Sequence, residues 1–226
     1  MITTKRFRLN LVTAPATEPV TLAEVKAHLK IDGTDEDTLL TTLITVARQA
    51  VEDYTGRALI TQTWQVFYDR FPDVYYDNCR ISESGDRPYN YYQDYGKARQ
   101  IDIKKPPLLS ITHIKTYAND DTATIFSASS YQVSTYSGVA PTYGRVTLKD
   151  GVSFPYFTRN SDGIEIQFVA GYGAASDVPD QLKQAILTLI AFIYENRGDC
   201  GTCDAGIVSM PNIVLLMLQP FKMMKL

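Results

Sequence analysis

Residues 19–64 read "PVTLAEVKAHLKIDGTDEDTLLTTLITVARQAVEDYTGRALITQTW". Two helices and the start of a strand are written in this stretch. Thr21 followed three residues later by Glu24 is a capping box: the hydroxyl accepts an orphan backbone N–H and the carboxylate reaches back to the cap. Leu22, Val25 and Leu29 then mark one face of a short helix. A second, longer helix follows, with Thr34, Asp35, Glu36 and Asp37 as acidic or capping groups at its positive end. Leu39, Leu40, Leu43, Ile44, Ala47, Ala50, Val51 and Tyr54 recur at spacings of one, three and four, which makes a wide apolar stripe. Gly56 is the residue type that ends a helix in the left-handed conformation.

Downstream the texture changes. "ITQTWQVFYDRF" alternates and is rich in β-branched and aromatic residues, so it reads as a strand. "RQIDIKKPPLLSITHIKTYAND" holds two more, separated at Pro106-Pro107. "SSYQVST", "GRVTLKD" and "DGIEIQFVAGYG" add three, divided by Gly, Pro, Asp and Asn clusters. Five or six such strands predict a small antiparallel sandwich or barrel. Between the first two lies a tyrosine-rich stretch without period, residues 74–95, expected to be a long loop. A third helix is predicted at "DVPDQLKQAILTLIAFIYENRG", with Asp177 as a cap, Pro179 in the first turn and Arg197-Gly198 at its end. Its stripe is Leu182, Ala185, Ile186, Leu189, Ile190, Ile193 and Tyr194.

The expected fold is therefore α+β. Residues 18–59 and 177–198 form a small helical bundle, 60–176 an inserted antiparallel β domain, and 199–226 a C-terminal loop and flexible tail. The bundle is expected to bring the second and third helices together, because three one-sided apolar stripes have no other large partner.

The 226 residues carry a net charge of −3 with 45% hydrophobic and 21% charged residues, the composition of an ordinary globular protein. That balance gives no basic stripe for gripping a nucleic-acid backbone. The start "MITTKRFRLN" lacks an apolar signal region, and no segment approaches the roughly 20 apolar residues of a membrane span. Three cysteines do not make a secreted disulfide framework.

Chemical motifs are thin. Cys200 and Cys203 form one C-x-x-C. It could hold half a zinc site or act as a redox pair, but Cys79, His28 and His113 lack the spacing of further ligands, so two plain loop thiols are expected. Residues 171–176, "GYGAAS", imitate a phosphate loop yet match neither G-x-G-x-x-G nor a Walker loop, and read as a strand-to-helix turn needing positive φ. The carboxylates of residues 35–37 are explained as helix caps. His28 and His113 have no nucleophile placed beside them by motif and are expected to be structural. Trp64 is expected in sheet packing rather than in base stacking. No catalytic residue, cofactor or metal is predicted.

The order of parts carries more than any single residue. "VTLAEVKAHLKID", "ARQAVEDYTGRAL", "FVAGYG", "VPDQLKQAI" and "YENR" together resemble the head–tail connector (adaptor) proteins of long-tailed bacteriophages and related prophage elements. The resemblance covers residues 18–70 and 163–221. It implies a non-enzymatic virion protein at the head–tail junction, assembled in the host bacterial cytoplasm. It implies a homo-oligomeric ring, commonly of twelve subunits, that lies under the portal protein and extends the DNA channel. The next neck, stopper or tail-completion protein would dock beneath it. Double-stranded DNA would pass without sequence-specific binding, which suits the acidic balance, and no membrane is involved. "LLMLQPFKM" is similar to the family's leucine–proline–aromatic–basic ending. The resemblance implies that this segment reaches the portal, with Leu215, Leu216, Leu218 and Phe221 as anchors and Lys222 and Lys225 meeting acidic groups. The alternative is that the tail folds back on its own helices. Two other functions stay open: a binding module at the tail periphery, favoured by the tyrosine-rich loop, and a metal- or nucleotide-dependent enzyme using the C-x-x-C or "GYG" segments.

Overall fold

The computed structural model describes residues 7–69, 100–152, 158–196 and 210–223. In chain order these form β1 (Phe7–Thr13), α1 (Leu22–Leu29), α2 (Asp37–Thr55), β2 (Gln62–Tyr68), β3 (Gln100–Ile103), β4 (Leu108–Tyr117), β5 (Ala123–Phe126), β6 (Tyr131–Ser134), β7 (Gly144–Leu148), β8 (Ile164–Ala170), α3 (Asp180–Glu195) and α4 (Asn212–Leu218). The architecture is α+β, as the patterns predict. The tyrosine-rich stretch and all three cysteines lie outside the described residues, as do the Arg197-Gly198 stop and Lys225.

The helix signals hold where local chemistry is strong. Thr21 and Glu24 form the full capping box on α1. Gly56 ends α2 with φ of 73°. The acidic entry to α2 works differently from the expectation. Glu36 is the N-cap residue, and no side chain caps the helix. Asp37 forms an ion pair with Lys26 of α1, and Glu36 accepts from the Tyr194 hydroxyl of α3. Partners on neighbouring helices take up both carboxylates, so these acids bind the bundle together. Asp177 likewise does not cap α3, whose N-cap is Pro179; its carboxylate accepts from Ala174 N in the preceding turn at 2.9 Å.

The helices share one core. Leu40, Leu43, Ile44, Ala47 and Val51 of α2 meet Leu182, Ala185, Ile186, Leu189 and Ile190 of α3, all buried. Val25 of α1 joins them. Each fully buried aliphatic side chain there contributes about 1.5–3 kcal/mol, which explains why α2 and α3 pair across so long a stretch of chain.

The strands form two antiparallel sheets, ordered β1-β2-β8-β4-β5 and β3-β7-β6. Ile164, Ile166, Phe168 and Ala170 alternate along β8 and face Ile101, Ile103, Val146 and Leu148 of the smaller sheet, forming a second core. This is a sandwich. Two strands escape the sequence patterns. β5 is only four residues long. β1 precedes the helices and pairs with β2 from Phe7↔Tyr68 onwards, so the sheet draws on residues ahead of the 60–176 segment. Its burial is nearly uniform, because an edge strand half off the core shows no clean inside–outside alternation.

The C-terminal segment is not detached. Val214 and Leu218 of α4, with Phe221 in the 3-10 turn after it, are buried in the helical core. Their spacing of four and three is a helical stripe, and burying it completes the bundle. Among the described residues no helix is long and apolar enough to cross a membrane.

Candidate functional site

The "ARQAVEDYTGRAL" stretch builds a buried polar junction where bundle, sandwich and C-terminal segment meet. Arg48 and Glu52 lie one turn apart on α2, and both are almost fully buried. Arg48 Nη1 donates to Glu52 Oε2 at 2.8 Å, and its Nε to Glu18 Oε2 at 2.7 Å. Glu52 Oε1 accepts from Leu59 N at 2.8 Å and from Gln62 Nε2 at 2.5 Å. Gln62 Oε1 in turn accepts from Trp64 Nε1 at 3.2 Å. A buried ion pair survives only when its remaining hydrogen-bonding capacity is filled, and here Leu59 N and Gln62, at the start of β2, fill it. Helix α2 and strand β2 are thereby fixed to each other.

Arg57 is the second half of the junction and is 2% exposed. Its Nε donates to the Phe221 carbonyl at 2.6 Å and its Nη1 to the Pro141 carbonyl at 2.5 Å, while Nη2 lies 3.2 Å from Met223 Sδ. Burial pushes the guanidinium below its ordinary value, and the nearby Tyr172 and Tyr143 act against that. Met223 N donates to Thr55 O at 3.0 Å, closing the contact from the other side. Beside it, burial lowers the Lys105 ammonium against the opposing charges of Glu52 and Asp53; its Nζ sits 4.9 Å from the Trp64 ring centre.

The turn after β8 completes the frame. Gly171 and Gly173 have φ of 137° and 130°, as a strand-to-helix turn requires. A Cβ at Gly171 would stand 2.4 Å from the Ile60 carbonyl oxygen, so close backbone approach sets the glycine, with no phosphate cradle implied.

The predicted docking residues divide between two faces. Leu218 and Phe221 are buried inside the chain's own core. Leu215 is half-buried, Lys222 is exposed, and its Nζ lies 4.6 Å from the Tyr54 ring centre. Leu216 is 65% exposed and Ile213 50% exposed, so α4 presents an outward apolar edge. Segment and bundle are tied further by Gln181 Nε2, which donates to Met217 O at 2.9 Å.

Away from the junction, His113 lies on the outer face of the larger sheet, with Nε2 2.9 Å from Glu165 Oε1. Glu165 also accepts from Tyr117 OH at 2.5 Å and Gln65 Nε2 at 3.1 Å. Burial raises the Glu165 carboxyl, but the Tyr117 and His113 hydrogen bonds and the Lys115 charge outweigh it and leave it below the ordinary value. The same bond raises the Tyr117 phenol. His28 is exposed on α1. Among the described residues no group of three or more His, Cys, Asp or Glu is placed to hold a metal.

Sequence reasoning missed the junction because Arg48, Glu52, Arg57 and Gln62 look like ordinary polar residues. One signal was available: Arg48 and Glu52 fall among the apolar positions of the α2 stripe.

The comparisons with known proteins agree with this architecture. Residues 19–83, which include α1, α2, β2 and most of the junction, match the model of the phage gp6-like head-tail connector protein family. No curated protein matches the chain by sequence. Among solved structures, a chain in the neck of an empty gene transfer agent particle, computed with C6 symmetry, is 21% identical with a TM-score of 0.69, covering 97% of each chain. A chain in the virion of the native gene transfer agent particle is 22% identical, with a TM-score of 0.68 and 96% of each chain covered. One in the neck of the native particle, computed with C12 symmetry, gives 22%, 0.68 and 97% of each chain. Residues 19–83 are thus similar to the phage gp6-like head-tail connector proteins, and the chain as a whole shares the fold of those neck chains.

Proposed function

We propose that this chain is a structural virion protein of the head–tail junction, forming a ring beneath the portal protein. The observation that carries the reading is the coincidence of the connector-family match with the buried junction: the matched residues are the ones that lock bundle, sandwich and C-terminal segment into one body. The ring extends the DNA channel and offers its lower surface to the next neck, stopper or tail-completion protein. It acts by shape and adhesion rather than by catalysis. The net charge of −3 per chain suits a channel through which DNA moves without being held. Assembly takes place in the host bacterial cytoplasm.

Within this reading α4 is the portal-facing element. Leu218 and Phe221 hold it on the bundle, while Leu216, the half-buried Leu215 and Lys222 remain available to a groove on the portal. A helix held this way loses little conformational freedom on docking, which favours binding. Mixing the purified chain with heads bearing a portal tests the proposal. Wild-type chain should cosediment with heads, and Leu216→Asp chain, still folded, should not. Cosedimentation of both to the same extent would remove α4 from the interface.

A further inference from the structure

The larger sheet ends in two strands, β1 and β5, each paired on one side only among the described residues. Soluble proteins usually blunt such edges with charge, proline or a covering segment. Here β5, "ATIF", carries no charge, and Ile125 is 68% exposed. β1 exposes Phe7, Leu11 and Val12, each at 47%.

The hydrogen-bond phase leaves both edges ready to pair. Tyr117 N donates to Gly163 O towards β8, and Ala118 N donates to Thr122 O at the β4–β5 turn. In an antiparallel ladder, residues alternate between facing their partner strand and facing away. Carried through the registers, this aims the backbone groups of Ala123 and Ile125, and of Phe7, Leu9 and Leu11, out of the sheet.

Direction decides what could pair with them. With five strands alternating in direction, β1 and β5 run the same way. Rotating one copy about an axis therefore brings its β5 beside the next copy's β1 in parallel. This is a head-to-tail contact that can close a ring, whereas β1 on β1 or β5 on β5 would stop at a dimer. Parallel pairing sets the N-terminal ends together. Arg8, 58% exposed and paired with Asp162 of its own chain at 3.1 Å, then stands beside Asp121, 75% exposed and paired with Arg159 at 2.9 Å, so that opposite charges and not like ones meet across the seam, with the exposed Asp120 next to them.

We propose that β5 of one copy pairs in parallel with β1 of the next, so that the larger sheets fuse into a belt around the ring. This rests on the ring reading above. Five strands at a spacing of about 4.8 Å give each copy roughly 24 Å of the belt.

Disulfide trapping tests it. In a chain with Cys79, Cys200 and Cys203 replaced by serine, Asn10→Cys is combined with Ala123→Cys. Both positions are exposed and share the outer face, and the register that sets Arg8 beside Asp121 sets them opposite each other. Oxidation of the chain, alone and with portal rings, should give a ladder of covalent multimers that reductant collapses, and neither single variant should give a ladder. A ring seen by native mass without the ladder would overturn the seam and leave the ring reading standing. Neither ring nor ladder under any condition would overturn both. Covalent dimers from a single variant would instead show a two-fold contact and sink the proposal. A second variant avoids added cysteines: Ile125→Pro removes an outward N–H and leaves the β4 ladder intact. It should lower ring assembly at least tenfold with an unchanged melting temperature; unchanged assembly would overturn the proposal.

Discussion

The guanidinium of Arg57 donates through Nε to the carbonyl of Phe221 at 2.6 Å, joining residues 164 positions apart. One side chain thus ties the end of α2 to the C-terminal segment and, through Pro141 O, to the sandwich. Arg57→Ala leaves two buried carbonyls without donors and should cost about 2–4 kcal/mol, read as a fall in melting temperature. Arg57→Lys should recover little of the loss, because an ammonium cannot reproduce the planar fork that reaches both carbonyls. Full rescue by lysine would mean that charge alone matters here.

The two faces of α4 should separate stability from docking. Deleting residues 212–226 removes the buried Val214, Leu218 and Phe221, and should destabilise the chain by several kcal/mol at about 1.5–3 kcal/mol for each. Leu216→Ala, on the exposed face, should move stability by no more than about 0.5 kcal/mol. Thermal melts of both chains check this. A deletion that melts like the wild type would contradict the packing described for α4.

Leu189 is 4% exposed where α3 meets the bundle core. Leu189→Asp places an unpaired charge there, at a cost of several kcal/mol, and should lower the unfolding midpoint of the whole chain. A midpoint unchanged in urea would show that the helices do not share one core.

Gly171 should not tolerate a side chain. With φ of 137° and a would-be Cβ 2.4 Å from Ile60 O, Gly171→Ala is strained in both backbone and packing. It should lose more than about 1 kcal/mol in equilibrium unfolding. Equal stability would mean that the β8–α3 turn relaxes freely.

Acid should weaken the larger sheet through Glu165. Its carboxyl is lowered on folding, so its contribution is fully present above the ordinary carboxylate value and is lost as pH falls through the lowered one. Stability measured from about pH 6 down to pH 3 should therefore fall less steeply in Glu165→Gln than in wild type. Glu24, lowered by its Thr21 hydrogen bonds, keeps part of the acid dependence in both chains. Parallel curves would remove Glu165 from the acid response.

What was legible in the chain follows from how local each signal is. The capping box at Thr21, the stop at Gly56 and the stripes of α2 and α3 are written in adjacent residues, and the structure contains them all. The roles of Glu36, Asp37 and Asp177 were not legible, because a carboxylate near a helix start looks like a cap until its distant partner is known. β1 stayed hidden since a half-exposed edge strand has no period to read. The junction was hidden for the same reason as the α4 contact: Arg57 finds Phe221 and Pro141 only after the chain has folded. The stripe of Val214, Leu218 and Phe221 was visible, but an apolar stripe does not say whether its own core or a neighbour will cover it.

A ring of this chain on the portal, as proposed, would add a countable mass to it. Native mass spectrometry of portal rings from the same phage or prophage genome, with and without the purified 25.3 kDa chain, tests it most directly. The expected result is a mass gain equal to a closed, symmetric set of chains, lost with Leu216→Asp. A portal ring whose mass does not change in the presence of folded chain would contradict it.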